Sequence, residues 1–257
     1  MIDTTTQTNP SDAHTARTPI KGRKAIVTGG TTGIGRAIAV LLASEGAEVF
    51  ICGRDEDHLA DALARIAEVG TGHGIACDLA TKDGLNRFYR EAEATLGGYD
   101  IAVLNAAAGY GGLTDVDEDE LRYAIAQDFT QYAIGAHKAV HHMRDHGDIV
   151  MIGSYAVHKL GGGSAIYSGI KSGIHGFAEA LRREVSQDGI KVTLIVPALT
   201  GSDMQTPDIP PEKQAERINE HTMMRAEDIA VGVHFALTQP RRTVVQEMVL
   251  VQRDTDA

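Results

Sequence analysis

The sequence predicts one doubly wound α/β domain, a parallel sheet of about seven strands with helices on both faces. Three observations predict it. Short apolar runs recur along the chain without polar alternation, as strands buried on both faces do. Longer stretches with apolar residues at helical spacing separate them. A glycine-rich turn directly follows the first run and opens into a helical stretch.

The runs are Ala25 to Val27, Val49 to Ile51, Gly74 to Ala76, Ile101 to Leu104, Ile149 to Ile152 and Val192 to Val196, with a seventh expected between Val244 and Val251. Helical spacing marks Ile38 to Leu42, Leu59 to Val69 and Leu121 to Met143. Residues 1–20 are polar, with little apolar periodicity, and are expected as a flexible tail; residues 21–257 form the domain. Late in the chain Ala198 to Pro211, rich in Thr, Gly, Asp and Pro, breaks the rhythm before a short helical stretch to about Asn219. A loop near 198–222, following the sixth strand, is the expected cover of a substrate site.

Composition narrows the function classes. At 257 residues the chain can bury about three quarters of its unfolded surface in one core. Lys and Arg number 24 against 35 Asp and Glu, a net charge of −11, which repels nucleic acid and anionic lipid; neither is expected as a partner. No apolar run approaches the roughly 18 residues of a membrane span, and the N-terminus lacks a signal-peptide pattern. Cys52 and Cys77 give no secreted disulfide framework, so a reducing cytoplasm is the expected location. His137 and His141 have a spacing that suits a metal, but no third ligand is evident and no metal is expected.

The turn after the first strand reads Thr28-Gly29-Gly30-Thr31-Thr32-Gly33-Ile34-Gly35-Arg36. Glycines there allow positive φ and let backbone N–H groups approach a pyrophosphate, while the start of a helix near Ile34 adds partial positive charge. A phosphate-bearing cofactor follows from this. At the end of the second strand, an acidic side chain would accept from an adenosine ribose and repel a 2′-phosphate. Gly53 and then Arg54 stand there instead, so NADP(H) is favoured, with NAD(H) the alternative. Asp55, Glu56 and Asp57 weaken the field of Arg54, and Arg36 is a candidate second cation.

The spacing Gly29-x-x-x-Gly33-x-Gly35 resembles the nucleotide-binding turn of the short-chain dehydrogenase/reductase family. Asp78 matches that family's acidic residue beside the adenine, and Asn105-Ala106-Ala107-Ala108-Gly109 resembles its Asn-Asn-Ala-Gly segment, with Asn105 and Gly109 carried over. The resemblance runs from about residue 22 to residue 251 and implies a Rossmann-type fold. It also implies that Gly29, Thr31, Thr32, Gly33, Ile34, Gly35, Asp78, Asn105 and Gly109 surround a nicotinamide dinucleotide. Thr32 is neutral where NADP-using relatives are often basic.

Tyr167 and Lys171 lie four residues apart, on one face of a helix. An ammonium one turn from a phenol favours the phenolate, as general acid–base work requires. Ser154 follows the fifth strand, and the three residues match the family's Ser, Tyr and Lys stations. The resemblance implies hydride transfer, with Tyr167 as proton donor, Ser154 holding the carbonyl and Lys171 holding the nicotinamide ribose. Pro197 and Ser202 match the segment beside the nicotinamide, with Ala198 in place of the frequent Gly. Asp128 stands where relatives place a catalytic Asn; a shifted alignment would offer Gln127 or Gln131.

Tyr110, Tyr155, Val157, His158 and residues 200–222 are the candidate substrate lining. The ending Thr243 to Leu250 resembles family members acting on small hydroxy acids and ketones. The expected activity is that of an NADP(H)-dependent oxidoreductase acting on a small carbonyl or alcohol, working as a homodimer or homotetramer. The alternatives are an NAD-linked alcohol dehydrogenase and a cofactor-sensing binding protein without catalysis.

Overall fold

The structure, a computed structural model, describes residues 17–143, 146–201 and 209–254. Seven strands form one parallel sheet: β1 (Lys24–Val27), β2 (Glu48–Gly53), β3 (Thr71–Ala76), β4 (Ile101–Leu104), β5 (Gly147–Ile152), β6 (Ile190–Pro197) and β7 (Glu247–Leu250). Their order is β3-β2-β1-β4-β5-β6-β7. The direction of winding reverses between β1 and β4, and ligands of such sheets bind at that switch point, outside the carboxyl ends of the strands.

Helices cover both faces. α1 (Gly33–Ser44), α2 (Glu56–Ala67) and α8 (Ala226–Leu237) set Ile38, Leu42, Ile66, Ile229 and Val233 against Val27, Val49, Ile51 and Val103. On the other face α3 (Lys82–Leu96), α5 (Gln131–His142) and α6 (Ala165–Glu184) set Phe88, Tyr132 and Ile174 against Ile26, Phe50, Leu104 and Met151. Each large side chain so buried contributes about 1.5–3 kcal/mol. The start of α2 is capped by Asp55, that of α3 by Thr81, and that of α4 (Glu118–Ile125) by Asp117 and Glu120 in a capping box.

At the opposite end of the sheet from the switch-point crevice, Asp148 at the start of β5 is buried among three cations. Arg23 Nη2 lies 2.6 Å from it, Arg241 Nη1 2.9 Å and Lys191 Nζ 3.3 Å. Arg23 also holds Asp100 at 2.6 Å. This network ties the entries of β1, β4, β5 and β6 together.

The structure departs from the sequence reading in four places. The helical stretch Leu121 to Met143 is two helices joined by a π-helical turn, Ala126–Thr130. The third strand starts earlier, at Thr71. Val244 and Val245 precede the seventh strand rather than opening it. Within the expected tail of residues 1–20, Ile20 is buried and Thr18 N donates to Thr238 O at 2.9 Å, so this part is fastened to the domain. Residues 1–16 lie outside the described residues. The late insertion contains α7 (Pro211–Asn219), with Pro at its first turn. Among the described residues no helix is long and apolar enough to cross a membrane.

Candidate active site

The cleft at the switch point is built on the turn between β1 and α1. Asn105, just beyond β4, spans it: Nδ2 donates to Thr28 O at 3.0 Å and to Gly29 O at 3.1 Å. Thr28 Oγ1 in turn accepts from the backbone N–H of Asn105 and of Ala106. A Cβ at Gly35 would fall on the Gly29 carbonyl oxygen, so this close approach of helix and turn requires glycine. At the start of α1, Thr32 makes no side-chain capping bond, in contrast to Asp55 and Thr81 at α2 and α3. The uncapped helix start, with its unspent N–H groups and positive dipole end, fits a pyrophosphate.

At the end of β2, Gly53 lies under Thr31, whose side chain occupies the space a Cβ at position 53 would need. An aspartate there would displace Thr31 or the turn. Arg54 lines the cleft, and its Nη1 donates to Tyr123 Oη at 3.1 Å. Tyr123, on α4, donates its own proton to Asp78 Oδ2 at 3.1 Å. One phenol therefore links the ends of β2 and β3. Asp78 Oδ1 accepts from Ala80 N at 2.9 Å. Arg36 points elsewhere, to Asp61 at 2.8 Å, and is not the second cation of this cleft.

On the far side of the crevice, α6 carries Tyr167 and Lys171. The ammonium of Lys171 is buried, donates to Ile152 O at 3.0 Å and lies 5.7 Å from the Tyr167 ring centroid. Tyr132 donates to the same carbonyl at 3.1 Å, fixing the end of β5. Ser154 Oγ accepts from Ala156 N at 3.1 Å, capping a 3-10 turn (Tyr155–His158) and leaving the hydroxyl proton free to donate.

Asp128 sits in the π-helical turn, fully buried. Its Oδ1 accepts from Ala108 N at 2.9 Å and from Tyr110 Oη at 3.2 Å, while Oδ2 has no partner. Burial pushes this carboxyl up to about 6, against the opposing pull of the Lys171 cation. Burial and the neighbouring Asp128 push the Tyr110 phenol up in turn, so it stays a donor. Of the glutamines in this region, Gln131 donates its Nε2 proton to Ala106 O at 2.9 Å, and Gln127 lines the dinucleotide cleft. Asp128 is therefore the residue of this turn that faces Lys171 electrostatically.

The sequence is matched by a family model described as short chain dehydrogenase, over residues 23–213. The chain belongs to the short-chain dehydrogenase family. It is 29% identical over 234 residues to an uncharacterized oxidoreductase of Staphylococcus aureus, covering 90% of this chain and 97% of that one. Among solved structures it is similar to a short chain dehydrogenase from Burkholderia cenocepacia in complex with NADP, at 25% identity and a TM-score of 0.81, covering 91% of this chain and 98% of that one. A dehydrogenase/reductase from Sinorhizobium meliloti matches at 28% identity and a TM-score of 0.81, covering 91% and 96%.

Within this short-chain dehydrogenase two cavities meet. The dinucleotide cleft is lined by Gly29, Thr31, Thr32, Gly33, Ile34, Gly35, Arg54, Asn105, Tyr167, Lys171 and Pro197. Gly109 lies instead in a second cavity of about 940 Å³, with Ser154, Tyr110 and Tyr155, and Asp78 lines neither. Val157 and His158 do not line the second cavity; the His158 ring lies tilted against that of Tyr155, with centroids 5.2 Å apart. Ser202 lies outside the described residues. Sequence reading missed His58, Cys52, Cys77 and Leu79 in the cleft, and Lys159, Val251 and Gln252 in the second cavity. No motif marks them; only the packing of β7 beside β6 carries the C-terminal pair to the site.

Proposed function

We propose that the protein is an NADP(H)-dependent oxidoreductase that interconverts a small carbonyl compound and its alcohol. The observation that carries this is the position of Tyr167, which lines both cavities, at the junction where a cofactor and a substrate would meet. The turn and the uncapped start of α1 would hold the pyrophosphate, and Lys171 the nicotinamide ribose. A bound reduced nicotinamide would supply the hydride. Ser154, whose hydroxyl proton is free, would hold the carbonyl oxygen and stabilise charge developing there. Tyr167 would give that oxygen its proton, with Lys171 one helical turn away on the same face.

Arg54 at the cleft wall and the absence of an acid at Gly53 support NADP(H) over NAD(H), as does the NADP complex of the Burkholderia relative. The intact Tyr167 and Lys171 pair counts against a cofactor sensor without catalysis. The test is a panel of ketones, aldehydes and alcohols offered with each cofactor, followed by nicotinamide absorbance. Turnover with NADPH well above NADH supports the reading; no turnover, with tight dinucleotide binding, would leave the sensor.

A further inference from the structure

The two cysteines of the chain are not used by the chemistry above, yet both line the dinucleotide cleft. Cys52, in β2, pairs in register with Ile75 of β3, and Cys77 follows two residues after Ile75. The pairing continues past the strand, since Cys77 N donates to Gly53 O at 2.8 Å. Directly paired residues of parallel strands share a face, as do residues two apart, so both side chains point to one face of the sheet. The two thiols are therefore diagonal neighbours on that face, in the wall of one cleft.

Their surroundings differ. Cys52 is fully buried, and burial pushes its thiol up. Cys77 is half-buried, and the neighbouring Cys52 thiol lowers it, with help from the Arg87 guanidinium. Arg87 is held nearby through the Ala76 carbonyl. An accessible, lowered thiol beside a buried second one is the arrangement of an oxidisable pair with an attacking and a resolving member.

We propose that Cys77 and Cys52 form an oxidisable dithiol in the wall of the dinucleotide cleft, converted by hydrogen peroxide to a disulfide and shielded by a bound dinucleotide. The shielding rests on the cofactor reading above; the oxidation does not. The Cys77 thiolate attacks one peroxide oxygen, forming an S–O bond as the O–O bond breaks and hydroxide leaves. Cys52 sulfur then attacks Cys77 sulfur, the S–O bond breaks, and the oxygen departs as water with the Cys52 proton. Two thiols and one peroxide thus give one disulfide and two waters. Cys52 O accepts from Gly30 N at 2.9 Å, so strain in this pair is passed directly to the glycine-rich turn.

The test is free-thiol titration and peptide mass spectrometry of the full chain after peroxide treatment, with and without saturating NADP+. NADP+ carries no reducing equivalents, so protection by it reports occupancy of the cleft. Both thiols should disappear together into an intramolecular Cys52–Cys77 disulfide that dithiothreitol reverses, and NADP+ should slow their loss. Cys52→Ser should stop the reaction at a Cys77 sulfenic acid that dimedone traps. Retention of both thiols, or disulfides formed only between chains, would overturn the proposal. NADP+ binding is measured alongside by calorimetry. Its absence would overturn the cofactor reading, whereas binding without protection would overturn the placement of the dithiol in the cleft.

Discussion

Replacing Asp128 by Asn isolates what a buried carboxylate costs this fold. The folded-state value of about 6 stands roughly two units above the ordinary value of 3.8. Each unit is worth about 1.4 kcal/mol, so at neutral pH the ionised group opposes folding by about 3 kcal/mol relative to an uncharged one. The sign follows from proton binding. Between the two values the folded state holds the proton more tightly than the unfolded chain, so stability falls as pH rises through that window and levels off above about 6. Asn keeps an oxygen for Ala108 N and Tyr110 Oη but has nothing to ionise. Urea unfolding at pH 4 and pH 7 should therefore show wild type losing roughly 2 kcal/mol more than Asp128→Asn over that interval. Comparing slopes cancels any constant cost of the new amide. Parallel pH dependences would refute the burial argument. In catalysis Asp128→Asn should stay active while losing the limb of the pH–rate profile near 6, and Asp128→Ala should lower turnover with little change in cofactor affinity.

Arg54→Ala should weaken NADPH binding by about 1.5–3 kcal/mol, roughly ten- to a hundredfold, and leave NADH binding nearly unchanged; calorimetric titration showing equal losses would remove Arg54 from 2′-phosphate recognition. Asp148→Ala should destabilise the fold by about 3–5 kcal/mol, because it strands Lys191 and Arg23 with no central carboxylate. Urea midpoints within error of wild type would show that the network is not what holds the strand entries together.

Where the sequence was legible, one period dominated. β4 is a run of apolar residues with no competing signal, β6 is nearly so from Val192 on, and the glycine-rich turn follows β1 at the expected place. The π-helical turn was hidden because one extra residue per turn hardly alters the apolar spacing across Leu121 to Met143, although it sets Asp128 under Lys171. The early half of β3, Thr71-Gly72-His73, has little strand signal and becomes a strand only through its register with β2. Ser154, Tyr167 and Lys171 were readable because each sits at a marked station of a strand end or helix. Tyr123 was not, since its bonds to Arg54 and Asp78 join residues 69 and 45 positions away.

The central claim is that Tyr167 gives up a proton at the junction of two cavities, and Tyr167→Phe tests it most directly. Turnover of an accepted carbonyl substrate and the NADPH Kd are measured on the same preparation. The account predicts a Kd close to wild type and turnover lower by on the order of a hundredfold or more, since only the proton donor is removed. Turnover near that of wild type would contradict it.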